Sequence, residues 1–206
     1  MSFALSFYEI FSYAIPGFLY ILVVNLFLQL FKLPHMDLNQ TPGTLGFIVL
    51  TAILSYIAGH LADPIAYRWY YIINRQSEAP KAIADIKENL PDLKIEFEAR
   101  DGRLLYSFIK HKSLALAEYL DKFMAISIML QNLSLGLFLF SLTQIAYVFV
   151  TGHIIRYNLG ALVGLAFSFI AIKRSAIFKS RYFRGIFEQA LHYGTSVEKM
   201  FKEEWP

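Results

Sequence analysis

What most constrains this chain is the length of its uncharged apolar runs. A helix rising about 1.5 Å per residue needs ~20 apolar residues to cross a ~30 Å hydrocarbon layer. Phe11 to Phe31 meets that length without one Asp, Glu, Lys, Arg or His. Leu45 to Ile65 is a second run, interrupted only by His60 and Asp63 near its end. Phe123 to Val150 is a third, long enough to tilt or protrude, and Tyr157 to Ile172 is a shorter fourth, closed by Lys173 and Arg174. Backbone polar groups in lipid must be satisfied internally, so spanning runs are helices or barrel strands. These runs lack strict alternation, which predicts helices. They are apolar all round rather than along one stripe, which argues against a soluble bundle. Pro16 and Gly17 predict a kink or a re-entrant start in the first helix.

Composition agrees: 56% of the 206 residues are hydrophobic, against about 45–50% in a soluble domain. The absence of cysteine excludes disulfides and thiolate metal sites. The start has no basic segment and no small-residue cleavage site, so the first run is expected to be a retained span rather than a secretory leader.

Orientation follows from Lys and Arg. Of the 19, 17 fall between Arg68 and Lys122 or from Lys173 onward; Lys32 and Arg156 are the exceptions. Cations concentrate on the cytoplasmic side of a membrane. The expected protein is therefore an all-α, multi-pass inner-membrane protein with both termini cytoplasmic. It would have helix pairs in residues 1–74 and 123–172, a cytoplasmic insert in 75–122 and a cytoplasmic C-terminal helix in 173–206. Tyr67, Trp69, Tyr70 and Tyr71 stand where the second span would leave the membrane, as an interfacial aromatic belt does.

Within the insert, Pro80 to Asn89 reads as a short helix, with Ser77 or Glu78 near its start and Pro91 beyond it. Leu93 to Ala99 alternates like a strand, and Arg100 to Arg103 can turn it into a second strand, Leu104 to Ile109; a helix there is the alternative. Ser113 suits the N-cap of a helix that continues into the third span. In the tail, Phe183, Ile186, Phe187, Ala190 and Leu191 share one face, suited to a membrane surface or a partner subunit.

Several side-chain patterns bear on function. His60 and Asp63, three apart, share a helix face with Arg68 beyond, the one ionisable cluster near a span; it is either a gating or ion site or lies among lipid headgroups. Ser127, Gln131, Ser134, Ser141 and Gln144 keep to one side of the third span, with Asn132 beside them. Such a stripe either lines a pore between subunits or bonds to other helices within one subunit. Thr51, Ser55 and Gly59 on the second span, and Gly160, Gly164 and Ser168 on the fourth, are small-residue stripes that let helices approach closely. Asn25 and Gln29 add a polar face to the first span. Lys94, Arg100, Arg103, Lys110 and Lys112 are where an anionic nucleotide or oligonucleotide signal would bind, although Glu96, Glu98 and Asp101 interleave with them. No histidine has metal-ligand spacing, and no GxSxG, Walker, HExxH or dinucleotide motif is present. No enzyme activity, metal or cofactor is expected.

The opening YEIFSYAIPGFLYI, Tyr8 to Ile21, resembles the start of small multi-span transmembrane effectors of bacterial anti-phage defence systems. The resemblance covers this segment, with Pro16 and Gly17 as the shared element, and the plan of four spans with a cytoplasmic insert. It implies a homo-oligomer that permeabilises the inner membrane on activation, with the insert as sensor or docking part. The alternatives are a non-conducting membrane anchor that recruits a cytoplasmic partner, or a small transporter subunit using His60 and Asp63.

Overall fold

A computed structural model describes residues 3–36, 44–75, 77–89, 97–151 and 154–194. Among them every regular element is a helix, with no strand. The helices are α1 (Phe3–Leu30), α2 (Leu45–Asn74), α3 (Glu78–Asn89), α4 (Gly102–Lys112), α5 (Leu114–Thr151) and α6 (Ile154–His192), with a single 3-10 turn at Ala99–Asp101. Four of them, α1, α2, α5 and α6, are long and apolar enough to cross a membrane. The chain divides into two compact units, Met1–Asn74 with Ile128–Ser175 and Arg75–Ser127 with Ala176–Pro206, so α5 and α6 supply residues to both.

Several expectations are revised. Helix α1 begins well before Pro16 and continues past it rather than starting there, and α2 continues past Pro64. Proline costs a soluble helix about 3 kcal/mol, but in lipid the helix remains the only way to pair the remaining backbone groups. The second helix therefore ends at Asn74, well beyond the apolar run that announced it. Leu104 to Ile109 is helical, inside α4, not a strand; Leu93 to Glu96 lie outside the described residues. The reason is the spacing of Leu105 and Ile109, which puts both on one helix face and buries both fully. The amphipathic tail is not a separate helix but the end of α6, and its apolar face packs on its own chain.

In the first unit, α1 and α2 cross at two glycines. A Cβ on Gly17 would overlap the main-chain carbonyl of Ser55 and lie 2.8 Å from the nitrogen of Gly59. A Cβ on Gly59 would overlap the main chain of Tyr13. Helix α1 ends on Lys32, whose φ of 54° lets Leu33 N–H reach back to Leu28 O (2.9 Å), a left-handed cap usually made by glycine. Asn25 then pins the returning chain: its amide donates to Met36 O (3.1 Å) and accepts from Met36 N (2.8 Å).

The second unit has its own apolar core. Ala82 and Ile86 of α3, Leu105 and Ile109 of α4, Leu120 of α5, and Ile186, Phe187 and Ala190 of α6 are all buried in it. Ser113 caps α5, accepting from Leu116 N–H (3.4 Å). Glu78 and Lys179 are both buried, with Lys179 in the field of Glu78; as the first residue of α3, the carboxylate also sits at the positive end of that helix dipole.

Candidate functional site

Among the described residues, α5 carries more of the buried polar side chains of the first unit than any other helix. Asn132 is fully buried, and its amide nitrogen donates to Asp63 Oδ1 of α2 (2.9 Å) and to Ile128 O one turn back (3.2 Å). The hydroxyl of Tyr20, on α1, donates to the main-chain oxygen of Asn132 (2.7 Å). Asn132 Oδ1, also buried, has no hydrogen-bond partner among the described residues. Ala66, Leu135, Ala62 and Trp69 form the apolar surroundings.

Two residues on, Ser134 and Ser168 of α6 bond reciprocally. Each Oγ donates to the other's main-chain oxygen, both at 2.8 Å. Trp69 Nε1 donates to Ser134 Oγ (3.1 Å), and its ring stacks on Phe138. Further along, Ser141 Oγ donates to Leu137 O (2.8 Å) and presses on Gly164, while Gly160 faces the side chain of Gln144. The small-residue stripe of α6 is thus the counterpart of the polar stripe of α5: Ser168, Gly164 and Gly160 meet Ser134, Ser141 and Gln144 in antiparallel order. Gln131, Ser134 and Ser141 are buried, and Gln144 is half-buried. Ser127 is buried too but belongs to the second unit.

The other sequence candidates fall as follows. His60 and Asp63 do not act on a common partner. His60 stacks on Tyr13 of α1 (ring centroids 3.6 Å) and meets Tyr56 edge-on (4.5 Å), while Asp63 turns to α5. Arg68 is exposed. Ser55 and Gly59 are buried at the α1 crossing, and Thr51 is half-buried beside them. Gln29 Oε1 and Leu26 O both lie 3.1 Å from the Tyr147 hydroxyl, which can donate to either. Only part of the expected aromatic belt faces outward: Tyr67 is exposed, but Tyr70 is fully buried and Trp69 is engaged with α5. Among the described residues no group of three His, Cys, Asp or Glu could hold a metal.

The described basic candidates of the insert lie on the 3-10 turn and on α4. Lys94 lies outside the described residues. Arg100 is paired with Glu98 (2.8 Å) on an exposed surface. Arg103 and Lys110, seven apart on α4, share a face that Lys112 leaves by roughly 200°. Lys110 lies over the Tyr106 ring (5.9 Å) and Lys112 over Phe108 (5.7 Å). Tyr106 itself donates to the Asp121 carboxylate (2.7 and 2.6 Å to its two oxygens). Burial first, then that bond and the carboxylate's charge, push the Tyr106 phenol well above its ordinary range.

Sequence reasoning overlooked Gly17 as a packing residue and the pairing of Asn132 with Asp63. Both signals were present: Gly17 one turn from Tyr13 and Tyr20, and an Asn inside an otherwise apolar run. Compared with known proteins, the chain matches no family model, no curated protein and no solved structure.

Proposed function

We propose that this chain is a non-conducting, multi-pass anchor of the bacterial inner membrane, whose second unit recruits a cytoplasmic partner. The first unit would be the lipid-embedded part. The uneven distribution of Lys and Arg supports a cytoplasmic location for both termini and for the insert.

The observation that carries this reading is the engagement of the α5 stripe within one chain. A conduit between subunits needs polar side chains turned toward the subunit interface and water. Here Ser134 is bonded to Ser168 and Trp69, and Ser141 to its own helix. Large apolar side chains such as Phe18, Phe27, Ile48, Ile53, Leu162 and Phe167 are the ones turned outward. That surface, largely apolar among the described residues, suits lipid.

Membrane depolarisation and dye influx, measured on expression in bacterial cells at matched protein level, test the reading. The expected result is no leak above that of an empty-vector strain. A leak that Gln131→Leu with Gln144→Leu abolishes would instead support a pore lined by the stripe, as the anti-phage effector resemblance implies.

A further inference from the structure

We infer that Asp63 and Asn132 form a binding site for one alkali-metal cation inside the first unit. The inference does not depend on the anchor reading. Three features carry it.

The first is an acceptor with no donor. Asn132 commits its amide nitrogen twice, to Asp63 and to Ile128 O, so its oxygen is identified by the bonds the nitrogen makes. Turning the amide over would set Oδ1 against two acceptors. In its observed orientation Oδ1 is buried and accepts nothing. An unsatisfied buried acceptor costs about 1–3 kcal/mol, which a cation would offset.

The second is charge. Asp63 is half-buried on a helix apolar enough to span a membrane. The other ionisable side chains near it are accounted for. Tyr20 of α1, whose hydroxyl lies in the field of Asp63, gives its proton to Asn132 O. His60 of α2 stacks on Tyr13, and Arg68 is exposed. The segments of α5 and α6 within the first unit bring no Asp or Glu, and of their cations with described side chains Lys173 donates to Asn74 Oδ1 (3.2 Å) and Arg174 is exposed. No ion pair to Asp63 occurs among the described residues. A carboxylate in lipid is costly without a countercharge.

The third is ligand chemistry. The site offers one carboxylate and one amide oxygen, both hard oxygens that suit a hard cation. One negative charge matches a monovalent ion, whereas a divalent ion would leave the site positive in a low dielectric. Among the described residues no group of three His, Cys, Asp or Glu gathers there to serve a transition metal.

The test uses the full-length chain in detergent micelles or nanodiscs at fixed pH and ionic strength. Chloride salts of Na⁺, K⁺ and Li⁺ are compared with N-methyl-D-glucamine chloride, reading thermal unfolding and bound ²²Na⁺ with competition by the other two ions. At least one alkali ion should raise the midpoint saturably, by about 4 °C or more at high occupancy, with one ion bound per chain. Asp63→Asn should abolish that response. It should also raise the midpoint in the organic-cation buffer, because its new amide can donate to Asn132 Oδ1. Asn132→Ala, which removes the orphaned oxygen, should likewise lose the ion response even where it lowers the midpoint overall. Equal midpoints in all four salts would overturn the inference. So would an unchanged ion response in Asp63→Asn, or stabilisation by acidification alone with no discrimination among the salts.

Discussion

Removing Ser134 should cost more than removing Ser168, and the difference should reside in Trp69. In Ser168→Ala one hydroxyl-to-carbonyl bond is lost, the Ser168 Oγ bond to Ser134 O. Side-chain hydrogen bonds between membrane helices are worth on average ~0.6 kcal/mol and at most ~1.7, so about 1 kcal/mol is expected. In Ser134→Ala the equivalent bond to Ser168 O is lost, and the indole N–H of Trp69 also loses its acceptor. Leaving this part-buried donor unpaired adds up to roughly 1–3 kcal/mol, bringing the total to about 2–4 kcal/mol. In a Trp69→Phe background that addition vanishes, so Ser134→Ala should fall back to about 1 kcal/mol, a coupling of at least ~1 kcal/mol in a double-mutant cycle. Reversible unfolding in mixed micelles with rising SDS, followed by circular dichroism, supplies the free energies. If Ser134→Ala is neutral in both backgrounds, Ser134 faces water or lipid. Burial of the α5 stripe, and the anchor reading built on it, would then be wrong.

Two further outcomes follow from geometry and charge. Gly17→Ala should destabilise the first unit by at least ~1–3 kcal/mol, since the added carbon meets main-chain atoms of α2; Gly46→Ala, with nothing within 4 Å, should be neutral or gain up to ~1 kcal/mol of helix stability. Equal midpoints for the two variants in the SDS titration would contradict the close α1–α2 crossing. Tyr106, whose phenol is raised by burial and by Asp121, keeps its proton in the folded chain above pH ~10, where an unfolded tyrosine ionises. Its contribution is therefore complete below that pH and is lost as pH rises toward the folded value. The alkaline fall in stability should be shallower in Tyr106→Phe, and identical slopes would dismiss the Asp121 bond as a contributor.

The spans were legible because lipid exposure demands apolar residues on every face, a demand that composition alone reveals. Which faces turn inward was less legible. Ser134, Ser141 and Gln144 advertise a stripe, and Ser168, Gly164 and Gly160 advertise another at matching spacing, yet a list of either does not say that one seats on the other. His60 and Asp63 illustrate the limit: three residues apart on a helix, they have different partners, one on α1 and the other on α5. Leu104 to Ile109 was ambiguous because LLYSFI satisfies both periods locally. The helix wins through contacts remote in sequence, with Leu105 and Ile109 sharing a core with Phe97 and Phe187. Likewise Trp69 and Tyr70 read as an interfacial belt from position alone, whereas the extension of α2 past Pro64 carries them onto α5 or into the interior.

The two stripes also bear on why a membrane protein would keep so many polar groups at depth. Between helices in lipid there is no hydrophobic drive to associate, because the acyl chains are as apolar as leucine. Order among α1, α2, α5 and α6 must then come from close contact at Gly17, Gly59 and Gly164 and from directional bonds at Asn132, Ser134 and Tyr147. Every one of these bonds except those at the Ser134–Ser168 pair ends on α1, on α2 or within α5 itself, so α5 is the element the others are registered against. A polar substitution on the outward faces should therefore be tolerated far less than its area suggests, since it would offer a neighbouring helix an alternative register. By the same reasoning, Asn132 Oδ1, an acceptor with no partner among the described residues, is where added charge can tighten the bundle without competing with its existing bonds.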